Sequence, residues 1–237
     1  ISSNITIVNP AVISIANEAF TPITCNGAND GTITITGAGG TAPLTYTITG
    51  GTSNQTGSFT GLSAGVYQVT VSDVNGCPTA LSTNITIVNP ATISITNEAF
   101  TPLTCNNAND GTITITAAGG TAPYTFSING GYPSNQTGVF NGLAAGNYQV
   151  SVTDVNNCPA VLSSNITITN PATISIASQS STNITCNNAN NGTITVAATG
   201  GTLPYTYSIN GGYPSNIDGL FTGLSAGTYV VTVTDVN

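Results

Sequence analysis

The sequence predicts an all-β fold, a rod of tandem Ig-like β-sandwich repeats of about 80 residues each. Three observations predict it. One phrase occurs three times, as GLSAGVYQVTVSDVNGC (61–77), GLAAGNYQVSVTDVNNC (142–158) and GLSAGTYVVTVTDVN (223–237). Short segments alternate apolar and polar residues with a period of two, and no stretch carries the 3.6-residue apolar period of a helix. Gly, Pro and Asn clusters punctuate those segments at short intervals, as turns between strands require.

Taken in order along one copy, the strands are ATISI after an Asn-Pro, then GTITIT, YTFSI, a short strand ending at Phe140, NYQVSVTD and a closing SSNITIT. In GTITIT, Ile33 and Ile35 are expected to face a core and the threonines solvent. The same reading places Leu44, Tyr46 and Ile48 inward, with Tyr67, Val69 and Val71, and with Ile5 and Ile7. The Tyr of GLxAGxY has the setting of a tyrosine corner. Asn9-Pro10, Asn89-Pro90 and Asn170-Pro171 mark junctions where one closing strand runs directly into the next opening strand. The expected organisation is therefore 1–10 as the closing strand of a preceding repeat, 11–90 and 91–171 as complete repeats, and 172–237 as a repeat lacking its last strand. With Pro at each junction and no Gly/Ser linker, the array should be semi-rigid.

Composition narrows the setting. The chain has no Lys, Arg or His and only 8 acidic residues, for a net charge of −8. Side-chain salt bridges cannot form, and nucleic acid or an anionic membrane would repel such a surface. No apolar run is long enough to span a bilayer. General acid-base chemistry lacks its usual residue, and an acyl-transfer triad lacks a base, so the chain reads as non-catalytic. A soluble, trypsin-resistant extracellular surface is the setting that fits this composition.

Five cysteines occupy two recurrent places, one before GTITIT and one closing the repeated phrase. If two strands separate GTITIT from NYQVSVTD, both places come to one pole of a sandwich. The expected bridges are then Cys25–Cys77 and Cys105–Cys158, with Cys77–Cys105 across the junction as the competing pairing. The partner expected for Cys186 lies beyond the chain, two positions past Asn237. A donor-strand polymer, in which 1–10 complete the third repeat of another subunit, is the alternative assembly. Either bridge requires an oxidising compartment.

The run CNGANDGTITITGAGGTAPLTYTI from Cys25, followed by F-x-GLSAGxYxVxVxDxNGC, resembles the SprB-repeat family, named for a very large surface adhesin of gliding bacteria. The resemblance implies a secreted, cell-surface repeat protein used in adhesion or filament building. The third copy departs from the pattern with Asn191 in place of Asp and Ser181 in place of Phe20 or Phe100.

Two further kinds of site are legible. Asp30 with Asp73, and Asp110 with Asp154, were they to meet at one pole beside Asn107, Asn109 and Asn156, would offer oxygen ligands to Ca²⁺, the single cofactor candidate. Capping of turns explains the same residues without a metal. Sequons stand at Asn4, Asn54, Asn84, Asn135, Asn165, Asn183 and Asn191, and glycans are sterically open at several of them. The expected partners are thus neighbouring repeats or copies of this chain, and covalent glycans. The expected function is that of a structural fibre or stalk segment, with a glycan- or surface-binding module as the alternative.

Overall fold

The computed structural model describes residues 4–237, and every regular element among them is a strand. The chain forms two compact units, Ile1–Ile95 with Ala117–Thr125 and Val152–Val161, and Thr96–Thr116 with Phe126–Ser151 and Leu162–Asn237.

Unit 1 holds the first complete copy of the repeat. Its strands are β1 (Ser14–Thr21), β2 (Gly31–Ala38), β3 (Thr45–Ile48), β4 (Ser53–Asn54), β5 (Ser58–Leu62), β6 (Gly65–Tyr67), β7 (Val69–Ser72), β8 (Ala80–Leu81) and β9 (Ile85–Ile87). They pair as β1-β2-β5, β4-β3-β7-β8 and β6-β9. The alternation predicted from sequence forms the core between these layers: Ile33, Ile35 and Phe59 meet Tyr46, Ile48, Val69 and Val71, and Ile85 and Ile87 close one side. Each fully buried side chain of this size is worth about 1.5–3 kcal/mol of transfer free energy.

The tyrosine strand is a single run in sequence and two strands in the fold. β6 pairs with the closing strand β9, Gly65 opposite Ile87 and Tyr67 opposite Ile85, whereas β7 pairs with β3 in the other layer. Gln68 sits at the crossing, its side-chain amide donating to the Ser82 carbonyl. The Tyr67 hydroxyl donates to the Ser63 carbonyl four residues back, at 3.0 Å, as a tyrosine corner does.

The second copy repeats the plan with β10 (Ser94–Thr101), β11 (Gly111–Ala118), β12 (Thr125–Ile128), β13 (Val139–Leu143), β14 (Gly146–Tyr148), β15 (Val150–Thr153), β16 (Val161–Leu162) and β17 (Ile166–Ile168). Its sheets are β10-β11-β13, β12-β15-β16 and β14-β17. The Tyr148 hydroxyl donates to Ala144, and burial together with the neighbouring Tyr132 hydroxyl pushes its pKa up to about 12. The third copy, in unit 2, has β18 (Ser175–Thr182), β19 (Gly192–Thr199), β20 (Thr206–Ile209), β21 (Leu220–Leu224) and β22 (Val231–Thr234), paired as β18-β19-β21 and β20-β22. The tandem Ig-like sandwich reading therefore stands on strand order and layer structure.

Residues 4–10, read as the closing strand of a preceding repeat, form no strand, and Ile5 and Ile7 are 89% and 95% exposed, while their counterparts Ile85, Ile87, Ile166 and Ile168 are buried. The counterparts are buried because β6 and β14 pair with them, and no strand among the described residues pairs with 4–10.

Candidate functional site

Each copy has two poles with different chemistry. At the proximal pole, where the chain arrives, the loop after β2 meets the turn after β7. Gly40 N–H donates to the Ala11 carbonyl, and the Asp73 carboxylate accepts the N–H groups of Thr41 (3.0 Å), Asn75 (3.1 Å) and Cys77 (2.9 Å). Asp154 is the same hub in the second copy, accepting from Thr121, Asn156 and Cys158, and Asp235 accepts from Thr202 and Asn237 in the third. These loops also carry the cis peptide bonds before Pro43, Pro123 and Pro204.

At the distal pole, where the chain leaves, the first cysteine loop grips the Asn-Pro junction. Asn26 donates its side-chain amide to the Pro90 carbonyl at 2.7 Å, and Gly27 N–H donates to the Asn89 side chain at 2.9 Å. Asn106 and Asn107 hold Pro171 and Asn170 in the same way. Asp30 and Asp110 cap this pole by accepting the hydroxyl and N–H of Thr24 and Thr104. Asn191 keeps that cap in the third copy, its oxygen accepting Thr185 N–H and its amide donating to the Thr185 hydroxyl. The Asp-to-Asn departure thus preserves the turn. Ser181 costs the core nothing either, since Phe20 and Phe100 at the same place are half exposed.

The disulfide joins the two kinds of pole. Cys25 bonds Cys158, with Cα atoms 5.4 Å apart, while Cys77, Cys105 and Cys186 are free thiols. The expected pairs Cys25–Cys77 and Cys105–Cys158, and the competing Cys77–Cys105, are replaced by a bond from the first cysteine of one copy to the second cysteine of the next. The reason is β4. Two strands between GTITIT and the tyrosine strand would bring both cysteines of a copy to one pole. The two-residue β4, paired antiparallel with β3, adds one more pass and sends Cys77 to the opposite pole from Cys25. In the second copy that pass is a single bridge, Phe126 to Asn135. The Asn156 side chain adds a bond to the Thr24 carbonyl at 3.1 Å, and in unit 2 Asn237 bonds the Thr104 carbonyl at 2.6 Å.

The same extra pass separates the carboxylates proposed to meet around Ca²⁺. Asp30 lies with Thr24 at the distal pole and Asp73 with Cys77 at the proximal one, each engaged by protein donors. No group of three His, Cys, Asp or Glu side chains that could hold a metal occurs among the described residues. The sequons divide as well. Asn4, Asn84, Asn165 and Asn183 are exposed. Asn54 and Asn135 are half-buried, and each builds its own turn, donating to Ser58 or Val139 and accepting from Gly57 or Gly138. Ser82 and Ser163, which sequence reading passed over, are buried and accept the N–H of Val69 and Val150, seating the closing segment. The serine that opens every S-S/T-N-I-T-I segment was the available signal.

These hubs set a pH dependence. Burial alone would raise the Asp154 carboxyl, but the N–H groups of Cys158, Thr121 and Asn156 outweigh it and hold the pKa below the usual range. Asp73 is lowered first by the Cys77 N–H, and Asp30 and Asp110 first by the hydroxyls of Thr24 and Thr104. A folded-state pKa below the unfolded value of about 3.9 adds stability above that pH and withdraws it as pH falls through the lowered values. The urea midpoint should be flat from about pH 5 to 8, where no histidine titrates, and should fall below about pH 4. A midpoint equal at pH 3 and pH 6 would contradict the hub assignment.

The SprB repeat family matches residues 17–53, 97–132 and 178–213. No curated protein matches the chain. Among solved structures, it is similar to three N-terminal domains of the bacteriophage RB49 highly immunogenic outer capsid protein, with TM-score 0.48, 16% identity, and 91% of this chain and 82% of that one covered. Sidekick-1 immunoglobulin domains 1–5 give TM-score 0.41 and 11% identity over 92% and 50%. The S-layer protein rSbsC(31-844) gives 0.34 and 14% over 96% and 37%.

Proposed function

From its membership of the SprB-repeat family, we propose that this chain is a non-catalytic, structural segment of an extracellular bacterial fibre or adhesin stalk, with 11–90 and 91–171 as its repeating units. The observation that carries this reading is the Cys25–Cys158 bond, which spans 133 positions and ties the distal pole of one copy to the proximal pole of the next. A bond placed there does little for a binding face and a great deal for a chain under tension. It takes most of two copies out of the load path.

Single-molecule pulling from both chain ends tests it. At ~3.4 Å per residue, the locked segment hides about 450 Å of contour. Reduction should lengthen the fully extended chain by that amount, while the oxidised chain should stop short. Equal lengths in both states would refute the load-bearing role. A second reading is favoured by one feature of unit 2, a cavity of about 730 Å³ lined by Asn129, Asn147, Gln149, Asn165 and Thr167. Amide side chains of this kind suit sugar hydroxyls, and glycan-array binding by the whole chain would shift the function toward adhesion.

A further inference from the structure

We propose that the cavity of about 730 Å³ in the second repeat is a subsite for a neutral saccharide, held by a set of amides that the other two repeats lack. This rests on the second functional reading above, that the cavity takes sugar, and deepens it to named groups and a class of occupant.

The cavity forms where the tyrosine strand changes layers. β14 pairs with β17, whereas β15 pairs with β12 and β16, so the sheet surface breaks at Gln149 between them. Asn147 and Gln149 line the cavity from that run, Asn129 from the end of β12, and Asn165 and Thr167 from the closing segment. The protein's own bonds hold these amides in place. Asn129 donates to the Asn147 carbonyl at 3.0 Å and accepts the Gln149 N–H at 2.8 Å. Gln149 Nε2 donates to the Ser163 carbonyl at 3.1 Å, and Asn147 Oδ1 accepts the Thr167 hydroxyl at 2.8 Å.

Each amide is thereby oriented and keeps capacity for a ligand. Asn147 Nδ2, Gln149 Oε1 and the Asn165 amide have no partner among the described residues. Sugar hydroxyls both donate and accept, so a fixed array of amide N–H and C=O groups suits them, and its rigidity lowers the ordering cost of binding. Leu162, 56% exposed on the same wall, offers the C–H face of a ring an apolar contact. No charged side chain lines the cavity, and the chain has no Lys or Arg to pair with the carboxylate or sulfate of an acidic sugar. The occupant is therefore neutral, a hexose or an N-acetylhexosamine.

The other repeats show that the fold does not demand these residues. In the first copy Thr49 stands for Asn129 and Val66 for Asn147. The Thr49 hydroxyl is engaged on both sides by the Gln68 backbone, and Val66 is 58% exposed. In the third copy Thr228 and Val230 stand for Asn147 and Gln149. The same sandwich is built each time, and the amides converge in the second copy alone.

Two sources can present such a sugar. Asn165 opens a sequon whose Thr167 also lines the cavity, so a glycan carried there would start on its wall. A glycan of another surface would enter from solvent.

The whole chain, made in a host without N-glycosylation, is applied to an array of hexose-, N-acetylhexosamine- and sialic acid-terminated glycans, and those that bind are titrated by calorimetry. Neutral glycans should bind and sialylated ones should not. The double substitution Asn129→Thr, Asn147→Val writes the first copy's residues into the second. It should weaken binding about tenfold or more with the circular dichroism spectrum unchanged. Native material then identifies the source. A glycan on Asn165 that blocks the array makes the occupant the chain's own, and array binding by native material makes it that of another surface. Binding of no neutral glycan overturns the subsite and the adhesive reading together. Neutral binding that survives the double substitution, or that sialylated glycans match, overturns the subsite and leaves the adhesive reading standing. The pulling result is independent of all these outcomes.

Discussion

Replacing Cys25 or Cys158 by serine should lower the stability of unit 1 by up to about 5 kcal/mol, the chain-entropy value for a closed loop of this length. The size follows from the connectivity. A bridge spanning 133 positions constrains far more of the unfolded chain than one confined to a single copy. The measurement is a urea melt of each variant by circular dichroism. Cys77→Ser and Cys186→Ser are the controls, expected within about 0.5 kcal/mol of the parent because both thiols are free in the monomer. The comparison is decisive, since a Cys25–Cys77 bridge would make Cys77→Ser as costly as Cys25→Ser. Equal losses at those two positions would reject the pairing.

What the sequence shows and hides about this fold has physical causes. Period-2 alternation located β2, β3, β7 and β9 because one face of each is buried and the other is wet, as in Ile33 and Ile35 against Thr34 and Thr36. The opening strand runs on through Asn97, Glu98 and Ala99 without that signal, because most of β10 is exposed and burial imposes no pattern on it. Glu98 is there for a different reason, accepting the N–H and hydroxyl of Ser164 just ahead of the closing strand. β4 was invisible because two residues cannot display a period. It is nevertheless the element that decides which pole Cys77 and Asp73 occupy, so the errors over the disulfides and over the carboxylate pairs have one origin. Spacing along a chain counts strands only if every reversal leaves a mark.

Gly119→Ala should cost about 2–5 kcal/mol, a large effect for adding one methyl group. Two penalties coincide there. The backbone sits at φ +77°, where an L-residue pays about 1–2 kcal/mol. A Cβ would also lie 1.9 Å from the Thr92 carbonyl oxygen, a backbone atom that cannot swing aside. Moving it would strain the adjoining bond from the half-buried Gly120 N–H to the Ala91 carbonyl, now 2.7 Å, and leaving that N–H unpaired costs up to about 1–3 kcal/mol more. Gly131→Ala separates the terms. Its φ is +82° but nothing lies within 4 Å of its Cβ position, so conformational strain alone should apply and the loss should stay near 1–2 kcal/mol. Equal losses at the two positions would show that the approach to Thr92 is not what demands glycine. The same approach recurs at Gly39 to Val12 and at Gly200 to Thr173, at 2.1 and 2.0 Å. Each time it presses the loop after the long strand onto the residues that follow an Asn-Pro junction. A chain that carries tension through those junctions gains from having no slack there, and the paired glycines are the means by which backbone meets backbone without a side chain between.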